Sequence, residues 1–134
     1  MAAVRSRGNR STEERVVRLL RKHGLTGWSR HYPIAGTPDF CWRRQRVALF
    51  VDGCFWHGCP HCYRVPKSHA PYWRRKVASN RKRDRRVSVV LRSKGWKVVR
   101  LWECRISEKT GISRIGKALR TNRPSRRRSV AVKR

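Results

Sequence analysis

The feature that most constrains the fold is a run of five apolar residues, residues 47–51 (VALFV), in a strongly basic chain. The 134 residues include 36 Lys and Arg against 7 Asp and Glu, a formal net charge of +29, so apolar segments are scarce. A continuous apolar run of this length predicts a central strand that is buried on both faces. The length is that of one domain with a modest core.

The segments around this strand predict a compact α/β domain with a mixed sheet, in the order α-β-β-β-α-β. A first helix begins at Ser11, which caps it together with Glu14, and stops at Gly24. The remaining predicted elements are strands at 28–34, 39–42 and 96–102, a basic hairpin at 43–46, a long helix at 72–94 and a weak helix at 107–119. We assign residues 1–10 to a flexible basic arm, 11–120 to the domain and 121–134 to a disordered basic tail.

The charge predicts a polyanionic partner, because a chain of this charge repels itself. Nucleic acid ranks first, since counterions released from phosphates drive its binding. A membrane surface ranks well behind, because the sequence has no long apolar run, signal peptide or basic amphipathic anchor, and we expect a cytoplasmic, nucleoid-associated monomer. The alternative is a ribosomal or histone-like protein, and six tryptophans argue against a purely backbone-coating role.

Two carboxylates flank the predicted hairpin of strands 39–42 and 47–51. Asp39 opens the first strand and Asp52 ends the second. In an antiparallel pair, these two ends lie side by side, and two carboxylates at one sheet edge suit a divalent cation such as Mg²⁺. A metal on a basic surface indicates phosphodiester hydrolysis. The alternative, of similar weight, is that both acids pair with neighbouring arginines.

Five cysteines in a chain without an export signal favour metal binding over disulfides. Cys54, Cys59 and Cys62 fall within nine residues, and Cys104 follows the last strand. Four thiolates suit tetrahedral Zn²⁺ and would join the loop to the last strand, with His61 as an alternative ligand. A catalytic cysteine is the weaker reading. Cys41 lies alone in a strand and is predicted to be buried.

The loop that contains Cys54, Cys59 and Cys62, called the cysteine loop below, also carries His57. This histidine could transfer a proton at neutral pH or be an ordinary packed or surface histidine. Phe55 and Trp56, with Trp73 at the start of the long helix, could stack on bases or wedge between them. Trp96 and Trp102 are predicted to belong to the core. One face of the long helix has a spacing of three and four residues, formed by Trp73, Val77, Asn80, Asp84, Val87 and Leu91.

Four segments together resemble the very short patch repair (Vsr) DNA mismatch endonucleases: GTPDF, FVDGCFWHGCPHC, YWRRKVASNRKRDRR and GWKVVRLWEC. The resemblance runs from about Glu13 to Cys104. It implies a restriction-endonuclease-like (PD-(D/E)xK) core with a structural zinc site. The implied reaction is a Mg²⁺-dependent nick in one strand of double-stranded DNA, 5′ to the thymine of a T:G mispair. Such mispairs arise by deamination of 5-methylcytosine, so a companion DNA cytosine methyltransferase is implied as a functional partner.

The resemblance also implies roles for individual residues. Asp39 and the backbone carbonyl of Val51 correspond to metal ligands, and Asp52 stands where the best-known member has a second active-site histidine. His57 matches the histidine that acts as acid or base at the scissile phosphate. Asp84 matches the aspartate that supports this histidine. The remaining matches are the helix glutamate Glu13 (or Glu14), zinc ligands Cys54, Cys59, Cys62 and Cys104, the aromatic wedge Phe55, Trp56 and Trp73, and Asn80 as a DNA contact.

Three hypotheses follow. The first is the mismatch-nicking enzyme with zinc and magnesium. The second is a PD-(D/E)xK nuclease without mismatch specificity. The third is a zinc protein that binds nucleic acid and has no catalytic activity.

Overall fold

The computed structural model describes residues 10–54, 58–60, 64–106 and 108–121. Its α-helices are α1 (Arg10–Lys22), α2 (Ala70–Ser93) and α3 (Ser113–Thr121). Its strands are β1 (Ser29–Arg30), β2 (Phe40–Trp42), β3 (Val47–Asp52) and β4 (Lys97–Trp102). A 3₁₀ turn (Glu103–Arg105) and a π-helical turn (Glu108–Ile112) connect β4 to α3. The predicted basic arm and tail lie almost entirely outside the described residues, and those assignments stay predictions.

One sheet contains these strands in the order β1-β2-β3-β4. The first three strands are antiparallel neighbours, and Phe40 of β2 lies opposite Leu49 of β3. β3 and β4 are parallel, with Phe50 opposite Arg100, and α2 lies between them in the chain. The predicted order of elements and the mixed sheet are therefore confirmed.

Helices cover both faces of the sheet, because side chains alternate between the faces along each strand. On one face, Leu49 and Phe40 pack with Leu20 of α1 and Ile115 of α3. On the other face, Phe50 and its neighbours pack against Leu91 of α2. Burying a side chain of this size contributes about 1.5–3 kcal/mol. The predicted burial of β3 on both faces is confirmed, since residues 47–50 are all buried.

Several element boundaries differ from the prediction. α1 begins at Arg10, so Ser11 falls inside the helix and not at its cap. β1 has two residues and not seven, because His31 adopts a left-handed backbone conformation (φ 50°) that ends the extended strand. The weak helix predicted at 107–119 is a π-helical turn followed by α3. The stop at Gly24 is confirmed, with φ 69° just beyond the end of α1.

The long helix α2 turns the predicted face toward the sheet. Its buried residues include Val77, Asn80 and Leu91, as the spacing predicted. Ser88 is also buried on this side, which the spacing did not indicate. Trp96, predicted to be in the core, packs partly buried beside Phe50. Within the described part of the chain, no helix combines the length and apolarity needed to cross a membrane.

Candidate active site and metal centre

The β2–β3 hairpin brings Asp39 to the end of β3. Asp39 directly precedes β2, and the antiparallel register places it beside the last residues of β3. The backbone N–H of Val51 donates a hydrogen bond of 2.8 Å to Oδ2 of Asp39. The start of β2 therefore lies beside the end of β3, as predicted, and the contact there joins Asp39 to Val51, the two residues that the resemblance assigns to a metal.

Burial makes Asp39 an unusual acid. The residue is 5 % exposed, and desolvation raises the pKa of its carboxyl from 3.8 to about 6. The Val51 hydrogen bond acts to lower this pKa, whereas the nearby carboxylates of Glu13 and Asp52 act to raise it and His31 to lower it. A buried acid with neighbouring acids is costly to ionise, and such environments are common at functional sites.

Glu13 comes to the same place from the first turns of α1. Its Oε1 pairs with the guanidinium of Arg30 and lies 3.7 Å from Nε2 of His31. Its Oε2 is buried and has no hydrogen-bond partner among the described residues. Glu14, the alternative left open by the sequence, is exposed. The structure thus brings Glu13, and not Glu14, to Asp39.

Asp52 has a different environment from Asp39. The residue is 7 % exposed, and its Oδ1 accepts a hydrogen bond of 2.8 Å from Nη1 of Arg100 on β4. The arginine pairing that the sequence left as an alternative for both acids therefore holds for Asp52. For Asp39, the hydrogen bond that the structure gives comes from the Val51 backbone.

The residues predicted on α2 lie near this edge of the sheet. Oδ1 of Asp84 is 3.9 Å from Nη1 of Arg100, the same nitrogen that binds Asp52. Asn80 is 3 % exposed and its side-chain oxygen accepts a hydrogen bond from Arg83, so a DNA contact would require this buried face to open. Trp73 is partly buried and packs edge-to-face with Tyr72, at 5.0 Å between ring centroids.

Three cysteine sulfurs form a cluster beyond the end of β4. The Sγ atoms of Cys54, Cys59 and Cys104 all lie within 4.8 Å of one another, and those of Cys59 and Cys104 are 3.6 Å apart. Thiolates at such distances can share one tetrahedral Zn²⁺. The fourth candidates, Cys62 and His61, lie outside the described residues, as do Phe55, Trp56 and His57. Cys41 is fully buried in β2, as predicted, and burial raises the pKa of its thiol.

Glu103 connects the cysteine cluster to α1, a role that was not predicted from the sequence. Its Oε1 accepts a hydrogen bond of 3.3 Å from the backbone N–H of Cys54. Its Oε2 accepts a hydrogen bond of 2.9 Å from the hydroxyl of Thr12, the residue before Glu13. The signal was its position beside Cys104 in a chain with only seven acids.

The contact of Arg100 with Asp52 was likewise not predicted from the sequence. This arginine occupies a strand position whose neighbours, Val99 and Leu101, are buried apolar residues. A cation at that position indicates a buried acid nearby, since charged groups are seldom buried without a partner.

A basic groove runs along one side of α2. Its volume is about 340 Å³, and its described lining consists of Val65, Arg74, Val77, Ala78, Arg81 and Arg85. The arginines recur at helical spacing over an apolar floor. The groove borders the cysteine loop, because Gly58 of the loop packs against Val77 of the groove lining. The two are so close that a Cβ added to Gly58 would lie 2.6 Å from the Val77 side chain.

Comparison with known proteins agrees with this geometry. The family profile described as DNA mismatch endonuclease Vsr matches residues 1–64. The DNA mismatch endonuclease Vsr of Escherichia coli is 37% identical over 106 residues, which cover 78% of this chain and 67% of that protein. The chain belongs to the Vsr family. Its relatives also include Type II nicking enzyme V.XorIIP of Xanthomonas oryzae pv. oryzae, 40% identical over 111 residues that cover 81% of this chain and 79% of that enzyme.

Membership of the Vsr family confirms the resemblance drawn from the four sequence segments. The part of the chain that matches the Vsr profile contains Glu13, Asp39, Val51 and Asp52 of the candidate site. The structure shows the mixed α/β fold with a four-stranded sheet between helices.

Proposed function

We propose that this Vsr-family chain is a DNA endonuclease that nicks one strand 5′ to the thymine of a T:G mispair, by Mg²⁺-dependent hydrolysis. The observation that carries the proposal is the buried Asp39 carboxyl at the end of the β2–β3 hairpin, with Glu13 close enough to raise its pKa. The names of the relatives support the reaction, since one is called a DNA mismatch endonuclease and the other a nicking enzyme. The proposed origin of the mispair implies a companion cytosine methyltransferase.

The acid pair fits a hard divalent cation. Oε2 of Glu13 is buried without a hydrogen bond from the described residues, and the Asp39 carboxyl beside it has a raised pKa. Both features are those of oxygen ligands that a cation would stabilise. Asp39 and the carbonyl of Val51 would hold the ion, which would supply charge stabilisation at the phosphate and a more acidic water. Oε2 of Glu13 would be the second carboxylate ligand of the ion.

Proton transfer is assigned to His57, with Asp84 as its support. Gly58, the next residue, packs against α2 so closely that a Cβ would lie 2.6 Å from Val77 and 3.7 Å from Arg81. Arg81 is one helical turn from Asp84. We propose that His57 acts beside Asp84, whose carboxylate would fix the imidazole orientation.

Zinc would have a structural role. Three thiolates from two distant segments already lie together, and Cys62 or His61 would complete four ligands. The ion would tie the start of the cysteine loop to the end of β4. Glu103 extends this connection to α1, because it bonds both Cys54 and Thr12. The loop that carries His57 would thus be anchored at its first residues.

DNA would be held by the basic groove and by aromatic side chains. The groove has Arg74, Arg81 and Arg85 at helical spacing. Its other described lining residues are apolar, so the described lining contains no carboxylate that would compete with DNA for these arginines. Guanidinium groups in such a row suit successive phosphates of one strand. Trp73 on α2 would join Phe55 and Trp56 as the wedge beside the mispair.

The experiment that tests the chemistry is nicking of a T:G duplex at increasing Mg²⁺, by wild type, Asp39→Asn and Glu14→Gln. We expect Mg²⁺-dependent nicking that Asp39→Asn reduces by at least about a thousandfold, in line with removal of a metal-binding group. Glu14→Gln is the matched control, because Glu14 is exposed on the same helix as Glu13. Nicking that persists in Asp39→Asn would contradict the proposed site. Absence of nicking in wild type would favour the non-catalytic nucleic-acid-binding protein.

A further inference from the structure

One guanidinium connects two acids of the candidate site. Nη1 of Arg100 donates the 2.8 Å hydrogen bond to Oδ1 of Asp52 and lies 3.9 Å from Oδ1 of Asp84. Nη2 donates to the backbone oxygen of Asp84 at 3.3 Å, and Nε donates to the hydroxyl of Ser88 at 3.2 Å. All three guanidinium nitrogens therefore have acceptors, on β3 and on α2.

Further contacts hold the side chain and the backbone of Arg100 in place. Arg100 lies opposite Phe50 in the parallel β3–β4 pair, and its Cζ is 4.2 Å from the centroid of the Phe50 ring. Its backbone oxygen accepts a hydrogen bond of 2.8 Å from Arg114. The side chain is 22% exposed. A cation that is stacked, hydrogen-bonded and largely buried has little freedom to follow a substrate.

Strand alternation separates Asp52 from Glu13. Asp52 follows Ala48 and Phe50 on the face of the sheet that α2 covers. Glu13 comes from α1, which packs on the opposite face with Leu49. Asp52 and Glu13 therefore reach this sheet edge from opposite sides, and Arg100 lies on the Asp52 side.

We infer that Arg100 is a positioning residue that holds the Asp52 carboxylate on the α2 side of the sheet, outside the cation site of Asp39 and Glu13. The inference rests on the proposed function and adds to it which carboxylates the cation uses. A cation site with two carboxylates differs from one with three, because ligand charge sets cation affinity. Arg100 thereby limits the site to the weaker, water-rich binding that is typical of Mg²⁺.

The test is Mn²⁺ binding to the whole chain without DNA, measured by the loss of the free-ion signal in electron paramagnetic resonance. Asp39→Asn should weaken binding by at least about tenfold, whereas Asp52→Asn should change it by less than about twofold. Asn is isosteric with Asp and can still accept the Arg100 hydrogen bond, so this comparison does not depend on a variant that loses its fold.

Removing the guanidinium should have the opposite effect. Arg100→Met should tighten Mn²⁺ binding by about threefold or more, because the Asp52 carboxylate is then available to the cation. Adding Asp52→Asn to Arg100→Met should return the affinity to that of wild type. A merely structural role for Arg100 would weaken binding in both variants.

The outcomes separate this inference from the proposed function. If Asp52→Asn weakens Mn²⁺ binding as much as Asp39→Asn does, Asp52 is a ligand and the inference is wrong, while the metal site stands. If Arg100→Met leaves the affinity unchanged, the inference is also wrong. If Asp39→Asn binds Mn²⁺ like the wild type, the proposed metal site itself is wrong.

Discussion

Replacing Asp39 with Asn is expected to stabilise the protein while it removes the proposed activity. Burial raises the pKa of Asp39 from 3.8 to about 6, so ionising this carboxyl costs more in the folded chain than in the unfolded chain. At 1.36 kcal/mol per pKa unit, this rise corresponds to about 3 kcal/mol. Asn carries no charge, and its carbonyl oxygen can still accept the 2.8 Å hydrogen bond from Val51.

The pH dependence of this effect has a definite sign. Below about pH 3 the carboxyl is protonated in both states, so Asp39→Asn should change the free energy of unfolding little. Between pH 3.8 and about 6, the unfolded chain releases the proton that the folded chain retains, and the wild type loses stability relative to the variant. Above about pH 6 the full difference of about 3 kcal/mol is present.

Urea unfolding in magnesium-free buffer near pH 3 and near pH 7.5 measures this difference. The midpoint of Asp39→Asn should exceed that of wild type only at the higher pH, with an unchanged dependence on urea. Mg²⁺ at about ten times its dissociation constant should then stabilise the wild type by about 1.4 kcal/mol, and the variant not at all.

A second acid provides the control for this experiment. Asp52→Asn should lower stability, because it removes the charge that Arg100 binds at 2.8 Å. The reasoning would be refuted if Asp39→Asn lowered stability near pH 7.5, or raised it equally at both pH values.

Three further predictions concern zinc and DNA. Cys104→Ser should reduce bound zinc, measured by atomic absorption, and lower the thermal midpoint, whereas Cys41→Ser should leave the zinc content unchanged; equal zinc in wild type and Cys104→Ser would contradict the site. Arg81→Ala should weaken duplex binding and reduce the salt slope by about 0.9, unlike Arg92→Ala on the same helix outside the groove; equal slopes in these two variants would exclude the groove as a DNA contact. Truncation after Thr121 should also flatten the salt dependence of binding, and an unchanged slope would show that the basic tail makes no phosphate contacts.

Much of the fold follows from local sequence signals. Residues 47–51 and the basic turn at 43–46 identify the hairpin, and the hairpin alone determines that Asp39 meets Val51. α2, by contrast, begins at Ala70 and not at the predicted Tyr72, because the first turn of a helix tolerates a proline such as Pro71. Such boundary shifts do not move the site, since the hairpin register defines it.

The rest of the site depends on tertiary structure that local patterns do not encode. Arg100 reaches Asp52 only because β3 and β4 are parallel in one particular register, with α2 packed above them. Glu103 bonds Thr12 across 91 residues of sequence. The sequence thus predicted which residue types meet at the sheet edge, but not which of them are held by a partner.

Strand nicking beside a T:G mispair can be tested with a single cleavage assay. Two duplexes that differ in one base pair, T:G or T:A, are labelled on the thymine strand and incubated with the chain and Mg²⁺. We expect a single product that ends 5′ to the thymine, from the T:G duplex only and absent with Asp39→Asn. Equal cleavage of both duplexes would contradict the mismatch claim and indicate a nuclease without mismatch specificity.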